Sequence, residues 1–163
     1  MQTRAQLKFW LNDGTLFGHA IAVTEKNFTA EINLGAWLSK NGAVDQALIC
    51  YSRALQIKPM DAVASYDLGN IFLRMGDVEE AERRYGTALQ TRPDYPEALS
   101  NLGLALTRQK KYAAAATNLL AALKIRPDFA DALNNLGTVR YYQGQHAEAA
   151  RCFGRPERRS RQV

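Results

Sequence analysis

Few side chains of this 163-residue chain could act as imidazole base, thiol nucleophile or soft metal ligand: His19, His146, Cys50 and Cys152. A structural or catalytic metal needs several such ligands at short spacing, and neither Cys-x-x-Cys nor His-x-x-x-His occurs. His146 and Cys152 come nearest to a thiol–imidazole pair. They are six residues apart, whereas neighbours on one face of a helix are three or four apart. The loop Gly-x-x-x-x-Gly-Lys, whose amides cradle a phosphate, is absent, and so is the Gly-x-Ser-x-Gly elbow. No catalytic residue, metal or cofactor is therefore expected. The chemistry left to this chain is recognition.

The elements that position its side chains repeat. Leu34-Gly35 returns as Leu68-Gly69, Leu102-Gly103 and Leu136-Gly137, each step 34 residues. Ala47, Ala81, Ala115 and Ala149 keep the same step, as do Tyr51, Tyr85, Leu119 and Phe153. Ala54, Ala88 and Ala122 form a further column, and Pro59, Pro93 and Pro127 another. A period of this length signals a solenoid of stacked units. The repeats run 28–61, 62–95 and 96–129, with a partial copy at 130–153. Each splits into two stretches with apolar residues at helical spacing, such as Ala64, Leu68, Ile71 and Phe72, then Ala81, Tyr85, Ala88 and Leu89. Gly42, Gly76 and Gly144 separate the two stretches, where a helix C-cap takes positive φ; the third repeat has Lys110 there. Asp45 and Asp77 suit the positive end of the helix that follows. The prolines stop the second helix. The small Gly and Ala columns mark close helix crossings, and Tyr51, Tyr85 and Phe153 are expected to fill the space between helices. Cys50 and Cys152 occupy the same position in different repeats, so stacked helices about 8–10 Å apart hold them beyond disulfide range. They read as free thiols in the core.

These columns resemble the tetratricopeptide repeat family: a Leu-Gly pair in helix A, a small residue and an aromatic in helix B, a second small residue and a closing proline. The fourth position, usually Trp in that family, departs; here it is Glu31, Ser65, Leu99 and Leu133. The resemblance implies an all-α, right-handed superhelical solenoid of stacked antiparallel helix pairs. It also implies a protein-binding scaffold whose concave groove, lined by helix A, takes an extended peptide or partner segment. The family's groove positions fall here on Asn33, Asp67, Asn101 and Asn135 (sixth position). They fall next on Ala36, Asn70, Leu104 and Thr138 (ninth), and on Lys40, Arg74, Arg108 and Tyr142 (thirteenth). An Asn amide offers both donor and acceptor and so suits a peptide backbone, whereas ionised Asp67 only accepts. The Lys40, Arg74 and Arg108 column leads us to expect acidic or neutral ligands in preference to basic ones. The chaperone carboxylate clamp of the family is not expected, because Ile32 and Ala36 replace its Lys and Asn.

The net charge is +5, and most of it comes from five arginines against one glutamate in residues 151–163. The folded body is close to neutral, which does not favour a nucleic-acid partner. No run of 18 or more apolar residues occurs, so no membrane insertion is expected and the chain reads as soluble and cytoplasmic. Residues 1–27 read as a partial repeat, an orphan helix B over 10–27 with Phe17 at the aromatic position and Ala20 at the small one. Asn12 or Asp13 would cap it, and Gly14 and Gly18 weaken it. The segment from Phe9-Trp10-Leu11-Asn12-Asp13 through Thr15-Leu16-Phe17 and His19-Ala20 to Asn27-Phe28 resembles the junction in bacterial membrane glycosyltransferases that carry a tetratricopeptide tail. That resemblance implies an alternative role, a substrate-capturing or regulatory tail of such an enzyme. The Asn-Leu-Gly tripeptides are also similar to those of O-linked N-acetylglucosamine transferases. Gly154 and Pro156 break the last helix, leaving residues 154–163 as a disordered Arg-rich tail. Without a polar cap, that end is expected to expose apolar surface and to form a weak two-fold homodimer.

Overall fold

The computed structural model describes residues 13–23 and 27–154. Phe9 to Asn12, Glu25 and the tail from Arg155 onward lie outside the described residues, and so do the expectations that fall on them. All regular structure among the described residues is α-helical: α1 (Asp13–Val23), α2 (Phe28–Lys40), α3 (Val44–Ile57), α4 (Ala62–Met75), α5 (Val78–Thr91), α6 (Pro96–Arg108), α7 (Tyr112–Ile125), α8 (Ala130–Tyr142) and α9 (His146–Cys152). Consecutive helices pack in antiparallel pairs: α2 with α3, α4 with α5, α6 with α7, and α8 with α9. Each pair stacks on the next, and α1 packs on α2.

A knob-and-seat contact closes every pair. A Cβ built on Gly35 would lie 3.0 Å from the Tyr51 ring, on Gly69 2.7 Å from Tyr85, on Gly103 2.6 Å from Leu119, and on Gly137 2.6 Å from Phe153. No real Cβ fits at such distances, so the Leu-Gly column is the seat for the aromatic column sixteen residues later. The alanine columns are sealed between helices: Ala47, Ala54, Ala81, Ala88, Ala115 and Ala122 are all fully buried. Removing any of this close packing costs transfer and cavity energy together. The core is therefore a thin continuous seam, with one cluster around Tyr51, Leu68 and Ile71 and another around Leu119, Leu136 and Val139.

Local chemistry sets the helix ends. The Asp61 carboxylate accepts from the amides of Val63 and Ala64, and Asp77 accepts from Glu80, so each satisfies amides left free in a first turn. Asp45 differs from this: α3 opens at Ala43 with no side-chain cap, and Asp45 sits inside the first turn. α3, α5 and α7 each end two residues before their proline. Gly76 takes φ +87° at the C-cap of α4, and Lys110 takes φ +61° at the matching turn, a left-handed conformation without the relief of glycine. Gly14 has a reason that its helix propensity hid: a Cβ there would lie 2.7 Å from the Trp37 ring, so it seats α2 against α1.

Two core expectations need correction. Phe153 rests on Gly137 but remains 49% exposed, because no described helix covers it as α4, α6 and α8 cover the equivalent residues. Cys152 is only partly buried, whereas Cys50 is buried. Both thiols are free.

Candidate functional site

The A helices α2, α4, α6 and α8 meet along a seam, and four of the sequence-predicted residues, Arg74, Asn101, Arg108 and Asn135, bond across it. Their side chains obey a 35-residue rule. At the sixth position, the Asn101 amide Nδ2 donates to Tyr66 Oη at 3.4 Å and that of Asn135 donates to Ser100 Oγ at 3.3 Å, each 35 residues back. At the thirteenth position, Arg74 Nη1 donates to the carbonyl of Ser39 at 3.3 Å and to its hydroxyl at 3.0 Å, and Arg108 Nη1 donates to the carbonyl of Leu73 at 3.0 Å. These offsets carry a side chain from one repeat onto the residue one place earlier in the preceding repeat. The last carbonyls of an α-helix lack intrahelical donors, and a guanidinium is a good match for them.

Arg74 and Arg108 are thus fasteners between repeats as well as surface cations. Tyr142, at the same position in the last repeat, makes no such bond and stacks on Tyr112 with centroids 5.4 Å apart. Lys40 is exposed at the end of α2.

Asn70 and Asn101 belong to a network that also reaches the core. Asn70 Oδ1 accepts from Asn101 Nδ2 at 2.8 Å and from the hydroxyl of fully buried Tyr85 at 2.9 Å. Tyr66 lies beside it, 6.0 Å from the Tyr85 ring and 4.9 Å from Tyr95 between centroids. Burial pushes the hydroxyls of Tyr66, Tyr85 and Tyr95 above the ordinary phenol range, so they stay neutral; Tyr66 accepts and Tyr85 donates within the network. The sequence reading placed Tyr85 in the core alone and missed Tyr66, Ser39 and Ser100. The signal that finds them is the 35-residue offset, one more than the repeat.

Asp67 stands apart from its column. Burial and the nearby negative charge of Asp61 push its carboxyl up to about 6. Asn33 faces the other end of the seam, beside Leu16, Phe17 and Ala20 of α1.

Below the seam, the first joint holds two polar atoms without partners. Glu31 is buried at the position where the family's Trp is usual. Its Oε1 lies 3.9 Å from Arg53 Nη1, while its Oε2 has no hydrogen-bond partner. Ser65 Oγ, at the same position one repeat on, is also unpaired. Burial and the adjacent Glu31 carboxylate hold the Cys50 thiol up at about 11, far from a reactive thiolate. No group of three His, Cys, Asp or Glu able to hold a metal occurs among the described residues. No described helix is long and apolar enough to cross a membrane.

A cleft of about 970 Å³ lies elsewhere, between α5 and α7 over Leu102 and Leu106. It is open because Gly86 and Ala114 are small. Its rim carboxylate Glu82 is already bonded to Gln109 and Lys111 at 2.7 and 3.0 Å. The helix-A seam, where the Asn101 and Asn135 amides bond from repeat to repeat, is the better candidate for recognition.

A profile described as Tetratricopeptide repeat matches residues 66–128 and 108–155, and one described as TPR repeat matches residues 38–76. No curated protein matches the sequence. Among solved structures, a crystal structure of MamA superposes with a TM-score of 0.80 at 18% identity, over 94% of this chain and 92% of that one. A MamA fragment from Desulfovibrio magneticus RS-1 gives 0.73 at 20% identity, over 79% and 73%. The PilF protein of Pseudomonas aeruginosa gives 0.71 at 30% identity, over 77% of this chain and 58% of that one.

Proposed function

The chain belongs to the tetratricopeptide repeat family, and from that premise we propose that it is a protein-interaction scaffold that binds an extended peptide segment along the helix-A seam. The observation that carries this reading is the column of amides, Asn33, Asn101 and Asn135, at one register position of the A helices. Asn135 spends one amide hydrogen on Ser100 and keeps its carbonyl and second hydrogen for a ligand. Asn101 is committed more deeply, with Nδ2 shared between Asn70 and Tyr66. A peptide unit laid across the seam pairs its own amide and carbonyl with such side chains whatever residue it carries.

The test is a peptide-library screen against the full chain, followed by titration of the best binder. Asn135→Ala is expected to weaken it by about 1–3 kcal/mol, the cost of leaving a peptide group unpaired, with far-UV circular dichroism unchanged. Equal affinity for parent and variant would remove the seam as the binding surface. Asn101→Ala disturbs the Asn70–Tyr85 network as well, so it serves as a secondary probe.

A second reading concerns the C-terminal end. Tyr141, Tyr142 and Phe153 are 59%, 58% and 49% exposed there. This apolar surface supports weak self-association, which light scattering coupled to size exclusion measures directly.

A further inference from the structure

We infer that Asp67 marks a subsite for a cationic side chain, lysine or arginine, of the bound segment. The inference rests on the helix-A seam being the binding surface, and its foundation is a break in the 35-residue rule. Asn101 and Asn135 each meet a hydroxyl in the preceding repeat, Tyr66 and Ser100. The same offset from Asp67 arrives at Ile32, and the ninth-position partner that is Asn70 for Asn101 becomes Ala36. Neither side chain can donate. Among the described residues, no hydrogen bond or ion pair reaches the Asp67 carboxylate.

The surroundings select the sign and shape of what fits. Asp61 is the charged group that acts on Asp67, and it too is negative. Tyr66, the residue before Asp67, has its ring 6.0 Å from that of Tyr85 and 4.9 Å from that of Tyr95, so an aromatic cluster adjoins the site. Arg74 lies seven residues farther along α4, about 10 Å by helical rise, and its Nη1 is directed to Ser39. A ligand that brings a cationic head on an apolar stem satisfies each of these features. The head pairs with the carboxylate and lies near tyrosine rings; the stem runs along partly buried Ile32 and exposed Ala36. This is opposite to the preference for acidic or neutral ligands expected from Lys40, Arg74 and Arg108: Arg74 and Arg108, though exposed, each spend a guanidinium nitrogen on a joint, while Asp67 has no partner among the described residues.

The experiment uses the full chain and blocked hexapeptides Ac-Gly-Ser-X-Ser-Gly-Ser-NH2, with X as Lys, Arg, Gln or Glu, titrated by two-dimensional NMR. The Lys and Arg peptides are expected to bind at least tenfold more tightly than the Glu peptide, with the largest shifts around Asp67. In Asp67→Asn, which keeps the shape and restores a donor, the selectivity is expected to fall within twofold. Equal binding of the Glu peptide, selectivity that survives Asp67→Asn, or no binding by any probe would each overturn the subsite. N-acetyl-lysine N-methylamide, which lacks an extended backbone, separates the two readings. If it shifts Asp67 as strongly as the Lys hexapeptide and Asn135→Ala changes neither, the cation site stands and the extended-peptide seam fails.

Discussion

At the scale of single residues, the first joint of the stack is where this chain departs most from its own pattern. Asp67 is the clearest case, and its titration makes a signed prediction. Its folded-state pKa, about 6, lies above the ordinary aspartate value because burial and Asp61 disfavour the charge. Folding therefore takes up protons between about pH 4 and 6, and stability from this group is lost as pH rises through that window. Asp61 shares the site, and the neighbouring tyrosines stay neutral throughout. Asp67→Asn is expected to match the parent near pH 4 and to exceed it by roughly 1–3 kcal/mol at pH 7, read from urea unfolding at both values. A constant difference across pH would show that the carboxylate is not strained. Ser65 is simpler. Its hydroxyl is fully buried and unpaired, so Ser65→Ala should raise stability by about 1 kcal/mol, with an unchanged or lower urea midpoint as the contrary result.

Element by element, the turns and joints carry the specificity. The turn from α6 to α7 forces Lys110 to φ +61°, whereas Gly42, Gly76 and Gly144 hold the matching turns at +77° to +87°. Side chains rarely adopt that region, at a cost near 1–2 kcal/mol. Lys110→Gly relieves the strain but adds unfolded-state freedom worth about 0.4–1 kcal/mol. The net expectation is a gain of about 0.5–1 kcal/mol, measured as a shift of the urea midpoint without change in slope. The opposite behaviour is expected inside a pair. A methyl on Gly69 meets the Tyr85 ring at 2.7 Å, and Gly69→Ala should destabilise by roughly 1–3 kcal/mol through overpacking, despite the better helix propensity of alanine.

Across the whole molecule, stability runs from repeat to repeat, since each unit touches mainly its neighbours. Interior knobs are covered on both sides: Tyr51 is 3% exposed, and Tyr85 and Leu119 are fully buried. Phe153 has the same seat and half its surface in water. Residues 130–152 are therefore expected to exchange their amide hydrogens before α4 to α7 under native conditions. Exposed Tyr141, Tyr142 and Phe153 at the same end form the surface proposed for self-association. Phe153→Asp should abolish any concentration-dependent increase in mass seen by light scattering, and a parent chain that is monomeric at high concentration would exclude contact through this end.

Local rules written in the sequence were enough for the fold. A Gly-Tyr pair sixteen residues apart, a proline after each B helix and a 34-residue period leave one way to bury the apolar faces, because no single repeat can bury its own. The columns along the A helices were also legible, since they follow from register; that they line a groove came only from the family resemblance. The partners of those side chains were not legible. Whether an Asn, Asp or Arg is available to a ligand depends on what stands across the joint, and that residue lies in another repeat at an offset the periodicity does not announce. Tertiary stacking alone turned Arg74 and Arg108 toward neighbouring carbonyls, tied Asn70 and Asn101 to Tyr85, and left Asp67 without a hydrogen-bond or ion-pair partner among the described residues. The physical reason is that packing follows the apolar columns, which repeat faithfully, while hydrogen bonding depends on individual pairs across each joint, which do not.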